Sequence, residues 1–249
     1  MPHRLKLEQL QALLFDVDGT LVDSMGMIVP GLCDTIEKFA GTRPNEEEIR
    51  SVVGMPITAQ LNRYLPLPVE DEEMVRMVDY AIDRYKLYED RVTYFHEAVE
   101  FLRLCRKFGK KIALVTSKNA RELQDFMTEF HASDAIDVAV CASDVPNPKP
   151  EPDSARLALE KLGVQPSQAA FIGDSIYDLR CAKAAGIAAV AVSYGSASQA
   201  DLEAEGPEML FKTPADLLHW ATSTEDNHAS QESRTTRIID TNSRSEGAA

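Results

Sequence analysis

The chain has 249 residues, of which 44% are hydrophobic and 27% charged, enough for one large globular unit carrying a smaller insertion. Its formal net charge of -14 argues against nucleic acid or an anionic membrane as a partner, because phosphate-rich surfaces select clustered Lys and Arg. No signal-peptide pattern, no apolar stretch as long as a membrane span and no CxxC pair is found. These features predict a cytoplasmic protein with buried, reduced thiols.

The first predicted element is a buried strand, Ala12 to Phe15, that ends at a pair of carboxylates. Asp16 and Asp18 are two residues apart, so their side chains share one side of an extended chain, and Gly19 allows a sharp turn. Adjacent carboxylates repel each other unless a cation or a shared proton relieves them. The pair is therefore either a solvated Asp-Gly turn or part of a functional site.

The following segment, residues 24–90, shows helical periodicity and no strand pattern. Apolar residues recur at helical spacing over 26–40, 57–65 and 71–88, with Gly or Pro between these ranges. Because the segment interrupts a sheet after its first strand, we expect it to lie over the same sheet edge as a helical cap. Its candidates for substrate contact have no diagnostic pattern: Met55, Thr58, Arg63 and Tyr64.

From residue 95 onward, short apolar runs alternate with helical patterns. Strands are predicted over 112–115, 138–141, 169–172 and 187–192, with a further short strand over 209–211. Continuous apolar strands separated by helices are typical of a parallel sheet covered on both faces. The predicted fold class is therefore α/β, with a doubly wound parallel sheet and an inserted all-helical cap.

This pattern divides the chain into three parts. Residues 8–23 and 91–221 form the predicted core, residues 24–90 the helical cap, and residues 222–249 a tail. The tail is rich in Ser and Thr and poor in apolar residues, a composition that predicts disorder. A short interaction motif around Arg237, Ile238 and Ile239 is the alternative interpretation of its few apolar residues.

Polar side chains follow four of the predicted strands. In a parallel sheet, ligands bind beyond the carboxyl ends of the strands, where the strand order switches. Each such residue has an ordinary structural explanation when taken alone, but their meeting at one sheet edge predicts one functional site. The residues are Asp16, Asp18, Thr116, Ser117, Lys149 and Asp174.

The two acids after the first strand suit phosphoryl chemistry. A carboxylate such as Asp16 that attacks phosphorus forms an aspartyl-phosphate and divides the hydrolysis into two steps. Both reactants are anions, so the attack needs a metal ion, and hard oxygen ligands suit Mg²⁺. Asp16, the backbone carbonyl of Asp18 and the carboxylate of Asp174 can supply such ligands. The Asp18 carboxylate can act as general acid and then general base.

The remaining candidates would contact the phosphate or support the metal. The Thr116 hydroxyl and the backbone N–H groups around Ser117, at the start of a helix, fit the transferring oxygens. Lys149, in a proline-rich loop, would balance the charges of nucleophile and phosphate. Asp178, four residues after Asp174, would orient either the metal-bound waters or Lys149 without binding the metal itself.

These residues belong to four motifs: DVDGTLVDS at 16–24, VTS at 115–117, KPEPD at 149–153 and IGDSIYDLRCAKAAG at 172–186. In residue type and order they resemble the haloacid dehalogenase superfamily of phosphohydrolases, over about residues 11–220. The resemblance implies a Rossmann-like core with strand order 5-4-1-2-3, a helical cap after the first strand, and Mg²⁺. It also implies that Asp16 is the nucleophile, Asp18 the acid and base, Thr116 a phosphate contact, Lys149 the charge partner and Asp174 a metal ligand.

Within this superfamily the chain is most similar to phosphoglycolate phosphatases, which implies a small phosphorylated metabolite as the substrate of a monomer or homodimer. Asp18 disfavours dehalogenation, because the dehalogenases lack this second acid. Relatives often carry Pro-Gly where this chain has Phe95 and His96, and His96 is predicted to be a surface residue at a helix start. Three alternatives stay open: an inorganic pyrophosphatase, a β-phosphoglucomutase-like mutase and a weakly catalytic regulatory or binding protein.

Overall fold

The computed structural model describes residues 5–65 and 69–222, so the predicted tail beyond residue 222 lies outside the described residues. Six strands form a parallel sheet in the order β5-β4-β1-β6-β7-β8, and β2 pairs with β3 in a separate antiparallel ribbon. The strands are β1 Ala12–Phe15, β2 Val22–Asp23, β3 Thr93–Tyr94, β4 Lys111–Val115, β5 Val138–Val140, β6 Ala169–Gly173, β7 Ala188–Val192 and β8 Met209–Phe211.

The predicted strand order is confirmed. The first five core strands along the chain are β1, β4, β5, β6 and β7, so the predicted order 5-4-1-2-3 corresponds to β7-β6-β1-β4-β5. This is the observed order read from the opposite edge, and β8 extends the sheet beyond β7. The chain leaves β1 towards β4 on one side and returns to β6 on the other, so the order switches at β1. The loops after β1, β4 and β6 therefore meet at one edge, where ligands bind in sheets of this kind.

The helices account for most of the remaining described chain. They are α1 Met25–Ala40, α2 Glu46–Arg50, α3 Ile57–Asn62, α4 Asp71–Tyr85, α5 His96–Lys107, α6 Ala120–Glu129, α7 Asp153–Leu162, α8 Ile176–Ala184 and α9 Gln199–Ala204, followed by helical residues 214–222. Two helices are shorter than predicted, because the chain tightens at their ends. After α4 it enters a 3₁₀ helix, Lys86–Arg91, and after α3 the N–H of Arg63 donates to the carbonyl of Gln60 three residues earlier.

The sheet is buried on both faces because successive residues of β1 point in opposite directions. Leu13 and Phe15 pack in one apolar cluster, in which the ring of Phe15 lies 6.0 Å from that of Phe101 in α5. Leu14 packs in a second cluster, with residues of α7 and α8. This two-sided burial confirms the prediction made from continuous apolar strands. The four cysteines are buried and free, as predicted.

The helices between residues 25 and 91 have an apolar cluster of their own. Leu32 and Ile36 of α1 pack there with Leu61 of α3 and Ala81 of α4. An independent cluster supports treating residues 24–90 as a separate cap, and we propose that division here. Among the described residues, no helix combines the length and the apolar composition that a membrane crossing requires.

The chain passes from core to cap and back through the β2–β3 ribbon. Val22 pairs with Tyr94 across it. Next to the ribbon, the ring of Phe95 lies 4.7 Å from that of Tyr194, whose hydroxyl donates to the carbonyl of Thr20 at 3.0 Å. His96 begins α5 and is exposed, as predicted. Aromatic packing thus stabilises the connection between core and cap at Phe95.

Candidate active site

Three buried aspartates meet at the carboxyl edge of the sheet. Asp16 directly follows β1, Asp174 directly follows β6, and Asp178 lies in the first turn of α8. Each offers a carboxylate oxygen, and these oxygens lie within 4.8 Å of one another. All three side chains are buried, so water does little to screen their mutual repulsion.

Lys149 supplies the counter-charge inside this cluster. Its ammonium donates to Asp16 Oδ1 at 2.9 Å, to Asp178 Oδ1 at 2.6 Å and to the carbonyl of Val115 at 3.2 Å. Burial opposes the charged form, but the two carboxylates outweigh it, so the pKa of Lys149 is raised and the side chain stays charged. The structure therefore brings Lys149 to the predicted nucleophile.

Asp174 is held by donors from two other loops. Its Oδ2 accepts from the N–H of Ser196 at 2.6 Å and from the Ser196 hydroxyl at 2.7 Å, and its Oδ1 accepts from the Thr20 hydroxyl at 3.3 Å. Gly19, at φ 82°, lies so close that a Cβ there would overlap the Asp174 carboxylate. The turn after β1 therefore needs glycine both for its conformation and for this contact.

The aspartates carry more negative charge than Lys149 balances. Burial raises the pKa of Asp174 to about 7, and the charge of Asp178 adds to this effect. Burial also raises the pKa of Asp16 well above its usual value, although Lys149 acts in the opposite direction. A divalent cation would relieve this excess, and a donor set of carboxylate oxygens suits Mg²⁺. The residues present thus fit the implied metal.

Asp178 joins α8 to Lys149. Its Oδ2 accepts from the N–H of Ser175 at 3.0 Å and from the Ser175 hydroxyl at 2.5 Å, which closes a capping box at the start of α8. Its Oδ1 is left to accept from Lys149. Of the two supporting roles predicted for Asp178, this geometry matches the orientation of Lys149, and the oxygen also belongs to the aspartate cluster.

Asp18 has its carboxylate outside the three-aspartate cluster. Its Oδ1 accepts from the Ser24 hydroxyl at 2.6 Å, and its Oδ2 lies 2.7 Å from the ammonium of Lys118. Burial lowers the pKa of Lys118, but Asp18 foremost raises it, so that the pKa is raised overall. Sequence reasoning missed both partners. The available signal was the position of Lys118 directly after the VTS motif, at a strand end that already carried functional residues.

The polar residues after β4 face the site and the cap. The Thr116 hydroxyl accepts from the N–H of Lys118 at 3.2 Å and lines the cavity above Asp16. The Ser117 hydroxyl donates to the carbonyl of Gly54 in the cap at 2.6 Å. In this structure the Ser117 side chain therefore connects core and cap, and its predicted phosphate contact stays a prediction.

The cap closes over the site and leaves a cavity of about 30 Å³, room for about one water molecule. Met55 lines this cavity, as do Gln60 and Tyr85. Within the described residues, Gln60 Oε1 is a buried acceptor without a hydrogen-bond donor, a group that one such water would satisfy. The other predicted cap contacts do not line the cavity, because Thr58 and Arg63 are exposed on the outer side of α3 and its end, and Tyr64 packs against the cap cluster.

Comparison with known proteins agrees with this geometry. Residues 13–192 match the family of haloacid dehalogenase-like hydrolases. The chain belongs to this family, which confirms the resemblance inferred from the four motifs.

The individual relatives include two named hydrolases. The chain is 28% identical to the pyrophosphatase PpaX of Bacillus velezensis, over 85% of this chain and 96% of that protein. It is 29% identical to the phosphoglycolate phosphatase of Escherichia coli K12, over 86% of this chain and 93% of that protein. The crystal structure of a hydrolase from Pseudomonas syringae shares the fold with a TM-score of 0.74 at 24% identity, covering 84% of this chain and 96% of that one.

Proposed function

We propose that this protein is a Mg²⁺-dependent phosphatase that hydrolyses a small phosphate monoester through an aspartyl-phosphate on Asp16. The observation that carries the proposal is the position of Asp16, paired with Lys149 and grouped with Asp174 and Asp178 beneath a cavity that Asp18 also lines. The names of the relatives support phosphoryl hydrolysis as the reaction.

In the first step an Asp16 oxygen attacks phosphorus, the bond between phosphorus and the leaving oxygen breaks, and that oxygen takes a proton from Asp18. In the second step Asp18 accepts a proton from water, the water oxygen bonds to phosphorus, and inorganic phosphate leaves as Asp16 is restored. Thr116 would bind a phosphoryl oxygen, while Lys149 keeps Asp16 oriented and its charge balanced.

Asp16, Asp174 and the backbone carbonyl of Asp18 would hold Mg²⁺, which when bound reduces the repulsion between the phosphate and the nucleophile. Asp178 would keep Lys149 in place beside them. Because Ser196 and Thr20 already fix the Asp174 carboxylate by hydrogen bonds, it needs little rearrangement to receive the ion.

Phosphoglycolate is our first candidate substrate, and inorganic pyrophosphate is the second, because relatives of both activities cover most of the chain. A β-phosphoglucomutase-like mutase would transfer the phosphoryl group back to a sugar, and a binding protein would release no phosphate. Measuring released phosphate separates both alternatives from a phosphatase.

The experiment is a phosphate-release screen of phosphorylated metabolites with Mg²⁺ and with EDTA, on the wild type, Asp16→Asn and Asp134→Asn. We expect Mg²⁺-dependent release by the wild type and loss of turnover in Asp16→Asn, since an amide is a poor nucleophile and a poor Mg²⁺ ligand. Asp134 is exposed in a 3₁₀ turn outside the four motifs, so Asp134→Asn controls for the loss of one carboxylate. Wild-type turnover by Asp16→Asn would rule out the mechanism.

A further inference from the structure

We propose that Lys118 recognises a second anionic group on the substrate's leaving group, and that this anion replaces Asp18 at the Lys118 ammonium. The inference rests on the proposed phosphatase function and narrows the substrate class. The leaving group would carry its own negative charge, as a carboxylate or a phosphate does.

The first support is the isolation of the Lys118–Asp18 pair. Lys118 Nζ lies 2.7 Å from Asp18 Oδ2, and the two side chains are 11% and 16% exposed. In the part of the chain that the structure describes, Asp18 is the ion-pair partner that Lys118 has within 4.0 Å. Asp18 is therefore the carboxylate in direct contact with this ammonium, while Glu122, which lines the same cavity, raises the pKa of Lys118 to a lesser extent.

The second support is the movement that the reaction demands of Asp18. To protonate the leaving oxygen, the Asp18 carboxylate must turn from Lys118 towards the phosphorus bonded to Asp16. That turn leaves an almost buried ammonium without a carboxylate in direct contact, which is a costly state. An anion on the substrate, placed at Lys118, restores the balance and frees Asp18 to act.

The third support is the position of Lys118 relative to the available space. Lys118 and Asp18 line both the cavity above Asp16 and an adjoining groove of about 360 Å³ between the cap and α6. A leaving group whose oxygen faces Asp18 would extend from the cavity above Asp16 into this adjoining groove. Among the residues described there, the other cation is Lys86, which already donates to Asp83 at 3.0 Å.

Acidic side chains would oppose such an anion: Glu89, Asp125 and Glu129 line the groove, and Glu122 lines both the groove and the cavity above Asp16. The Oε2 atom of Glu122 accepts from the N–H of Asn119 at 2.9 Å, in the capping box of α6. Glutamine closes a capping box as well as glutamate does. Glu122→Gln therefore removes the negative charge and keeps the helix start. Its effect on recognition of the substrate anion should be opposite to that of removing the Lys118 charge.

The experiment compares two substrates of equal length, 2-phosphoglycolate and 2-hydroxyethyl phosphate, which carries CH₂OH in place of the carboxylate. The readout is the ratio of their kcat/KM values. In Lys118→Met we expect the ratio to fall about tenfold or more, the usual weight of a hydrogen bond to a charged group. Lys118→Arg should restore most of it, and Lys161→Met, an exposed lysine of α7, should give the wild-type ratio. Pyrophosphate in a third arm tells whether a carboxylate or a phosphate is preferred.

Glu122→Gln should raise the same ratio, because it removes a repulsive charge from the anion's position. An equal loss on both substrates in Lys118→Met, or a wild type that prefers 2-hydroxyethyl phosphate, would overturn the inference and leave the phosphatase proposal intact. A wild type that releases phosphate from no substrate would instead overturn the proposed function itself. Because Lys118→Arg and Glu122→Gln keep buried hydrogen-bonding groups, the test does not depend on the folding of Lys118→Met alone.

Discussion

The sheet edge and the cap contribute different kinds of groups to the same cavity. The edge supplies charged side chains that already have partners, such as Asp16, which accepts from Lys149, and Asp18, which accepts from Ser24 and pairs with Lys118. The cap supplies apolar side chains and uncharged polar groups, including Met55, the amide of Gln60 and the carbonyl of Gly54. From this difference we propose that the core sets the reaction and that the cap sets the shape available to the leaving group.

The strongest way to test this division is to remove the acid from the core. Asp18→Asn keeps the backbone carbonyl that would bind Mg²⁺, but an amide cannot give up a proton to the leaving oxygen. We expect kcat to fall by roughly 10²–10⁴, the usual contribution of general acid–base catalysis. The loss should be smaller on p-nitrophenyl phosphate, whose leaving group needs little protonation. A uniform loss on all substrates would show that Asp18 does not act as the acid.

A second test prevents the cap from closing. Gly54 has φ 104°, and a Cβ there would lie 3.0 Å from Ser175 Cβ and 3.1 Å from the ring of Tyr177, both in the core. Gly54→Ala should lower kcat about 10²-fold on natural substrates, because a displaced cap admits water and misplaces the leaving group.

Gly41 provides the matched control. It also has a left-handed φ, 76°, in the same cap, but a Cβ there would meet no atom within 4 Å. Gly41→Ala should share the backbone strain, of about 1 kcal/mol, and keep wild-type kcat. Equal kcat losses in the two variants would mean that strain within the cap, and not closure, limits the rate.

A third test concerns specificity within the cap. Met55 lines the cavity, whereas Arg63 is exposed. Met55→Ala should change the order of natural substrates by about tenfold in kcat/KM, because it removes apolar contact with the leaving group. Arg63→Ala should keep the wild-type order. A re-ranking by Arg63→Ala and none by Met55→Ala would place substrate contact elsewhere in the cap.

The smallest expected effect is a pH dependence that belongs to the core alone. In the metal-free protein the pKa of Asp174 is raised from 3.8 to about 7, so the folded state holds a proton that the unfolded state releases above pH 4. The stability contributed by that proton is lost as the pH rises through about 7. Mg²⁺ needs the deprotonated carboxylate, so its apparent affinity should be about tenfold weaker at pH 6 than at pH 8.

Thermal unfolding with Mg²⁺ or EDTA at the two pH values measures this dependence. The rise in Tm caused by Mg²⁺ should be larger at pH 8, and Asp174→Asn should abolish the rise at both. A rise of equal size at pH 6 and pH 8 in the wild type would mean that Asp174 does not release a proton when the metal binds.

The core could be predicted from sequence because its functional residues directly follow strands. Asp16, Thr116 and Asp174 each end an apolar run, and parallel strands must bring those ends to one edge. Lys149 and Asp178 belong to motifs that reach the same edge from loops and helix starts. Placing these residues at one sheet edge does not require knowledge of how distant helices pack.

Contacts that depend on side-chain direction or on the position of the cap could not be predicted in this way. The Lys118–Asp18 pair depends on the direction of two side chains after different strands, and the Ser117–Gly54 hydrogen bond depends on where the cap lies. The outward position of Arg63 was missed because α3 has only six residues, too few turns for apolar periodicity to identify its buried face.

The β2–β3 ribbon places both crossings between core and cap side by side, so any rotation of the cap relative to the core would take place at this ribbon. Two features attach Asp18 to the ribbon: its backbone bridges to Val22 in β2, and its carboxylate accepts from Ser24, at the start of the first cap helix. Because we propose Asp18 as the proton donor, such a rotation would reorient the acid as well as open the cavity that Gly54 lines.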